Sequence, residues 1–287
     1  MLIHGIGRSE MVVWPLRSGS TGNCLLVGSG REVILVDAGW RSQGAFRLVL
    51  EKIGVKPHHV AGILVTHTHS DHINYTTYRL AEKYGIPLYL HTRNWERAYK
   101  LHYKGKLKGD PAWRGTKHLF RYGDPFTVGG FEVEAAEVAH DGGACSCFLL
   151  THRGSSRTVA VATDLGAWNR RLARFLSRAD YLVVESNWDP DMIAVSPRTP
   201  PDVARVMGGR GHLSNLDAGA LVCEAASLRG APPLGVILAH LSRDHNTMKL
   251  ALGTVRRILR EGGLGRVPVS AAPMGMMDEP VVLPGLP

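Results

Sequence analysis

The chain has 287 residues, 44% of them hydrophobic, enough for one large domain or two small ones. Its 34 basic and 25 acidic side chains leave a net charge of +9, which favours polyanionic partners, nucleic acid before membrane surface. Without an apolar run near the roughly 18 residues of a membrane span, a secretory signal, or a second cysteine pair to complete a zinc site, the chain reads as a soluble cytoplasmic protein with free thiols, not a membrane partner.

Residues 1–10 read as an N-terminal extension. Short apolar runs broken by Gly and Ser follow over 11–16, 24–27 and 32–36, the pattern of a strand meander. Phe46, Val49, Leu50 and Ile53 share one face of a helix. A buried strand over 60–65 runs directly into Thr66-His67-Thr68-His69-Ser70-Asp71-His72. A helix over 73–84 and a strand over 88–90 come next. Residues 92–120 are less regular, and the basic stretch 102–108, with Tyr103 inside it, suits a nucleic-acid backbone or a solvated face. Strands recur over 131–138, 148–151 and 158–162, then a helix over 168–177 and a strand over 181–184. Asn215 can cap a helix that buries Leu216, Ala220 and Cys223. A strand over 235–239 precedes a last helix capped by Asn246, with Met248, Leu252, Val255 and Leu259 inward. The order predicts an α/β fold of two mixed sheets covered by helices, as one domain over 11–271. The Pro-, Gly- and Met-rich tail 272–287 is expected to pack loosely.

Five of these strands end in potential ligands or acids: His67 onward, His140-Asp141, Asp164, Glu185 and His240. Such strand ends are where a sheet fold places its site. His67 and His69, two apart on an extended segment, project to one side. Asp71 and His72, at the turn into the helix, are displaced from them. Two groups of donors follow, and paired ions sit about 3.5–4 Å apart. Imidazole and carboxylate without thiolate suit Zn²⁺ or Mn²⁺.

The signature His67-x-His69-x-Asp71-His72, with Asp37 in LVDAG, His140, and Asp164 in ATDLG, resembles that of the metallo-β-lactamase fold, an αββα sandwich with a binuclear metal site. The segments SGSTGN, VESNWD, GHLSN and LAHLSRDHN narrow the resemblance to the WalJ/YycJ/VicX group, bacterial relatives of the RNase Z and RNase J nucleases. One departure is HDGGACSCF after His140, where that group's pattern has a proline-containing segment. The inserted domain of RNase J-type enzymes and the arm of RNase Z are not evident.

The resemblance implies one ion held by His67, His69, His140 and Asp164, and another by Asp71, His72, Asp164 and His240, with a hydroxide shared between them. It also implies that His212 protonates the leaving oxygen and that Glu185 orients it, so that Asp71, His212 and Glu185 form the catalytic set. Asp37 would hold the ligand loop by hydrogen bonding. Ser18, Ser20, Thr21, Gly22 and Asn23, with Ser214 and Asn215, are candidates to meet the substrate through amides and hydroxyls. The expected activity is a metal-dependent 5′→3′ exonuclease acting on DNA, with RNA open. Two other readings stay open: a hydrolase of small esters, lactones or thioesters, and a regulatory protein of a two-component pathway.

Overall fold

The computed structural model describes residues 9–106 and 112–286, with Gly5 and Gly7. Two seven-stranded sheets stack face to face. The first contains β1 (Glu10–Arg17), β2 (Cys24–Ser29), β3 (Glu32–Val36), β4 (Val60–Leu64), β5 (Leu88–His91), β6 (Lys117–Phe120) and, from the end of the chain, β14 (Val281–Pro284). The second contains β7 (Phe126–Val128), β8 (Phe131–Glu137), β9 (Ser146–His152), β10 (Thr158–Ala162), β11 (Tyr181–Glu185), β12 (Gly235–Ala239) and β13 (Val269–Ala271). Each sheet begins as an antiparallel meander and continues parallel, from β3 through β6 and from β10 through β13.

Most of these strands are buried on both faces, which explains their continuous apolar runs. Along β1, Met11 and Val13 face the core between the sheets, while Val12, Trp14 and Leu16 face helices. The helices α1 (Gln43–Lys52), α2 (Tyr75–Tyr84) and α3 (Trp95–His102) cover the first sheet. The second is covered by α4 (Arg170–Leu176), α7 (Asn215–Arg229) and α8 (Met248–Glu261), with α5 (Pro190–Ala194) and α6 (Pro200–Met207) between β11 and α7. The result is the αββα sandwich expected from the sequence. Among the described residues, no helix is long and apolar enough to cross a membrane.

Several local expectations are corrected. The tail is not loose: β14 pairs antiparallel with β1, and Leu283 is buried against the inter-sheet core. The caps of the last two long helices are hydroxyls: Ser214 accepts from Asp217 N (3.0 Å) and Thr247 from Leu250 N (3.2 Å). Asn215 and Asn246 instead bond each other reciprocally (3.1 and 2.8 Å), locking the starts of α7 and α8 together. Helix α7 accordingly buries Ala218, Leu221, Val222 and Ala225, leaving Leu216 exposed; Met248 of α8 is exposed as well. Tyr103 lies in the first core, so it offers no base a stacking face, and Leu107 and Lys108 of that basic stretch fall outside the described residues.

Candidate metal centre

The C-terminal ends of β3, β4, β10, β11 and β12 deliver Asp37, His67, Asp164, Glu185 and His240 to one edge of the sandwich. Asp37, Asp164 and His240 sit in the left-handed region, at φ 60°, 58° and 54°. Non-glycine residues are seldom held there, and such strain clusters at functional sites.

Two groups of donors result, as the spacing predicts. His67 Nε2 lies 3.0 Å from His69 Nδ1, and His140 Nε2 lies 3.3 Å from the same atom. His72 Nε2 lies 3.4 Å from Asp71 Oδ2, and His240 Nε2 is 3.6 Å from that oxygen. Asp164 stands between them: Oδ2 is 3.3 Å from His72 Nε2, while Oδ1 is 3.9 Å from His140 Nε2 and 3.2 Å from His240 Nδ1. All seven predicted donors therefore converge.

The hydrogen bonds around them fit a metal. Thr66 Oγ1 donates to Asp37 Oδ2 (2.8 Å), so it must accept from His67 Nδ1 (3.0 Å). His72 Nδ1 donates to Asp37 Oδ2 (2.7 Å), His140 Nδ1 to Gly211 O (2.7 Å) and His240 Nδ1 to Glu185 Oε1 (3.0 Å). Each of these four rings spends its Nδ1 hydrogen on the protein and turns an Nε2 lone pair inward, the arrangement that orients metal-binding histidines. Asp164 Oδ2 and His240 Nε2 are buried yet make no hydrogen bond. Orphaned buried polar atoms are costly, and a divalent cation would satisfy both.

The electrostatics agree. Burial would raise the Asp164 carboxyl, but His240, His72 and His67 outweigh it and hold it well below the usual range. Burial would lower His240, yet Asp164, Asp71 and Glu185 push it up to about 10. His69 is lowered to about 4 by burial and by His140. The second group therefore has a strongly negative field, which a cation answers.

Asp37 accepts from Thr66 N (2.9 Å), Thr66 Oγ1 and His72. His212 Nδ1 donates to Glu185 Oε1 (2.7 Å), so Glu185 holds His212 and His240 together. Of the residues expected to meet substrate, Ser20 is exposed at the site mouth and Thr21 is half-buried. Gly22 is buried against Gly39 O. The others are turned inward. Ser18 Oγ accepts from His240 N, and Asn23 Nδ2 reaches Asp71 Oδ2 (3.2 Å) and His72 Nε2 (2.9 Å). Ser214 and Asn215 are consumed by the α7 cap and the asparagine pair, which leaves them no group to offer a substrate.

Three features escaped the sequence reading. Asp141 Oδ1 approaches His69 Nε2 (3.5 Å) while both its oxygens take Arg205 (2.7 and 3.0 Å); its only signal was its place beside His140. His102 Nε2 donates to Thr68 O (2.7 Å), tying α3 to the ligand loop. A cavity of about 140 Å³ opens beside His212 and His240, with Arg198, Arg205 and Arg243 in its wall. No linear pattern marks those arginines.

The model of the β-lactamase superfamily domain matches residues 32–230. Exodeoxyribonuclease YycJ of Bacillus anthracis is 34% identical over 251 residues, 87% of this chain and 89% of that protein. Exodeoxyribonuclease WalJ of Streptococcus pneumoniae is 30% identical over 250 residues, 87% of this chain and 88% of that protein. The solved metallo-β-lactamase fold protein YhfI from Bacillus subtilis matches with a TM-score of 0.67 at 22% identity, over 96% of this chain and 98% of YhfI. The chain belongs to the β-lactamase superfamily and, within its metallo-β-lactamase-fold members, to the YycJ/WalJ family.

Proposed function

We propose that this protein is a metal-dependent exonuclease that shortens DNA from its 5′ end. It is a hydrolase of phosphodiesters. The observation that carries the proposal is the pair of donor groups meeting at Asp164, with the His212–Glu185 pair beside them. The exodeoxyribonuclease names of YycJ and WalJ and the excess of basic side chains support DNA as substrate. Four free cysteines fit a reducing cytoplasm.

His67, His69, His140 and Asp164 would hold one Zn²⁺ or Mn²⁺; Asp71, His72, His240 and Asp164 would hold the other. Such a pair lowers the pKa of water toward ~7 and neutralises phosphate charge. The chain's own groups do the rest. Thr66 and Asp37 fix the first ligand strand, and Glu185 fixes His240. His212 donates a proton to the departing 3′ oxygen as the phosphorus–oxygen bond breaks, held in line by Glu185. A small-ester or lactone hydrolase would call for an apolar pocket, whereas the cavity here is lined mostly by charged and polar side chains, three arginines, two aspartates and three histidines among them. A regulatory protein with a degenerate site would not need all seven donors.

The test is incubation of the metal-loaded protein with 5′-phosphorylated and 5′-hydroxyl DNA and RNA, with a chelator and His67→Ala as controls. Release of mononucleotides from DNA, abolished by both controls, is expected. Turnover of small esters without any digestion of DNA would overturn the proposal.

A further inference from the structure

The turn that leads into His212 grips the loop of the first donor group from two sides. Arg210 directs Nε and Nη2 at the carbonyl oxygen of His140 (3.3 and 3.0 Å), while His140 Nδ1 donates to the carbonyl of Gly211 (2.7 Å). Arg205, in the last turn of α6, adds a two-pronged bond to the carboxylate of Asp141 (2.7 and 3.0 Å). The turn itself is stiff. Gly211 N donates to Gly208 O (2.7 Å) and His212 N to Val206 O (2.8 Å). A Cβ at Gly211 would lie 2.1 Å from Arg205 O, so the turn lies flat on the end of α6. The His212 ring is thereby set between the two donor groups. Its centroid is 5.0 Å from that of His140 and 5.2 Å from that of His240.

We propose that Arg210 is a positioning residue for His212: it fixes the proton donor against the first donor group, as Glu185 fixes it against the second. The proposal rests on the exonuclease reading and deepens it. Glu185 alone cannot set the ring. It holds the ring at Nδ1 (2.7 Å), about which the imidazole can still tilt. With Nδ1 spent on Glu185, the proton passes from Nε2 to the departing 3′ oxygen, and that transfer needs an approach of about 2.6–3.2 Å. The tilt is settled by the backbone on either side of His212. After it, Trp188 Nε1 donates to His212 O (2.8 Å) and Leu213 N to Glu185 Oε2 (3.3 Å), both on the side of β11. Before it, the side-chain anchor toward His140 is Arg210, whose planar fork holds a carbonyl at two points where an ammonium would hold it at one. The Arg210 side chain is exposed, so truncating it opens no cavity in the core.

The experiment is a double-mutant cycle on kcat and KM for DNA digestion, with the wild type, Arg210→Ala, His212→Ala and the two combined, and with metal content measured for each. Arg210→Ala should lose about tenfold to a hundredfold in kcat while KM and metal content stay at wild-type values, and Arg210→Lys should recover part of the loss. In the His212→Ala background, Arg210→Ala should cost nothing further, because the group it positions is gone. A full effect of Arg210→Ala in that background, or a loss of metal, overturns the assignment and makes Arg210 a support of His140. A rise in KM with kcat unmoved overturns it in favour of a contact to the DNA backbone, and an unchanged kcat and KM overturns it outright. All of these leave the exonuclease reading standing. Hydrolysis of bis(p-nitrophenyl) phosphate by a wild type that digests no DNA overturns both.

Discussion

Gly142 follows the His140-Asp141 pair and lies directly on the ring of His67. A Cβ built there would stand 2.1 Å from His67 Cδ2 and 2.8 Å from Cγ. Carbon atoms pack best near 3.5–4.0 Å, so alanine at this position lacks about 1.4 Å of room. Neither partner can yield freely. Gly142 O accepts from Thr68 N (3.1 Å) and Thr68 Oγ1 (2.8 Å), so its loop is latched to the ligand strand. The His67 ring is held at Nδ1 by Thr66 and lies 4.0 Å, centroid to centroid, from the His72 ring. Gly142→Ala must therefore shift the Nε2 of His67 by on the order of 1 Å, and a displacement of that size at a reacting centre costs about 100-fold in rate. Overpacking should also cost about 1–3 kcal/mol of stability, too little to unfold the chain. The assay is metal content by elemental analysis with hydrolysis of bis(p-nitrophenyl) phosphate, beside Gly209→Ala, whose Cβ meets nothing within 4 Å. Wild-type metal content and rate in Gly142→Ala would refute this account of the site's packing.

His212→Ala should retain its metal and lose about 10²–10⁴-fold in kcat, as measured in single-turnover digestion of DNA; loss of the metal instead would make His212 a structural ligand. Asp37→Asn keeps its size but turns one of the two accepting oxygens into a donor facing Thr66 or His72. Metal affinity in a competition titration should fall about 10–100-fold, and an unchanged affinity would remove Asp37 from its supporting role. Burial pushes the thiols of Cys24, Cys145 and Cys147 up to about 12. An unfolded thiol ionises near ~8.5, so above that pH the unfolded chain releases protons that the folded chain keeps. Stability from these groups is full below about pH 8.5 and declines toward pH 12. The denaturant midpoint should drop from pH 8 to pH 10, and alkylation at pH 8.5 should spare these three until the chain unfolds.

What the sequence made legible follows from what the fold demands of it. Strands such as Val60–Leu64 and Tyr181–Glu185 are buried on both faces, so they read as apolar runs ending at a polar residue. The donors could be found because chemistry restricts them to His and Asp at strand ends. Less was visible where an element is held by its neighbours. Lys117–Phe120 buries only Phe120 and is a strand because β5 lies beside it; Val281–Pro284 is one because β1 does. The phase of α7 was missed because either Ser214 or Asn215 can cap a helix, and the choice turns on Asn246, thirty-one residues on. The cavity beside His212 draws on residues from Ser20 to His245, so periodicity carried no trace of it.

The left-handed aspartates give a local reason for the site's geometry. Asp37-Ala38-Gly39 ends β3 in one sheet and Asp164-Leu165-Gly166 ends β10 in the other, with φ of 60° and 58° at the aspartates. In both, the strained turn swings the carboxylate across the strand ends, and the glycine two residues later admits another loop. A Cβ at Gly39 would lie 1.7 Å from Asp71 O, and one at Gly166 would lie 2.3 Å from Gly211 N. Gly39 thus makes room for the loop bearing Asp71 and His72, and Gly166 for the loop bearing His212. Each aspartate is ordered by the fold at a cost of about 1–3 kcal/mol. The return is position: Asp37 beneath His72, Asp164 between the two donor groups. The same three-residue device on two sheets explains how groups from opposite halves of the chain meet within a few ångströms.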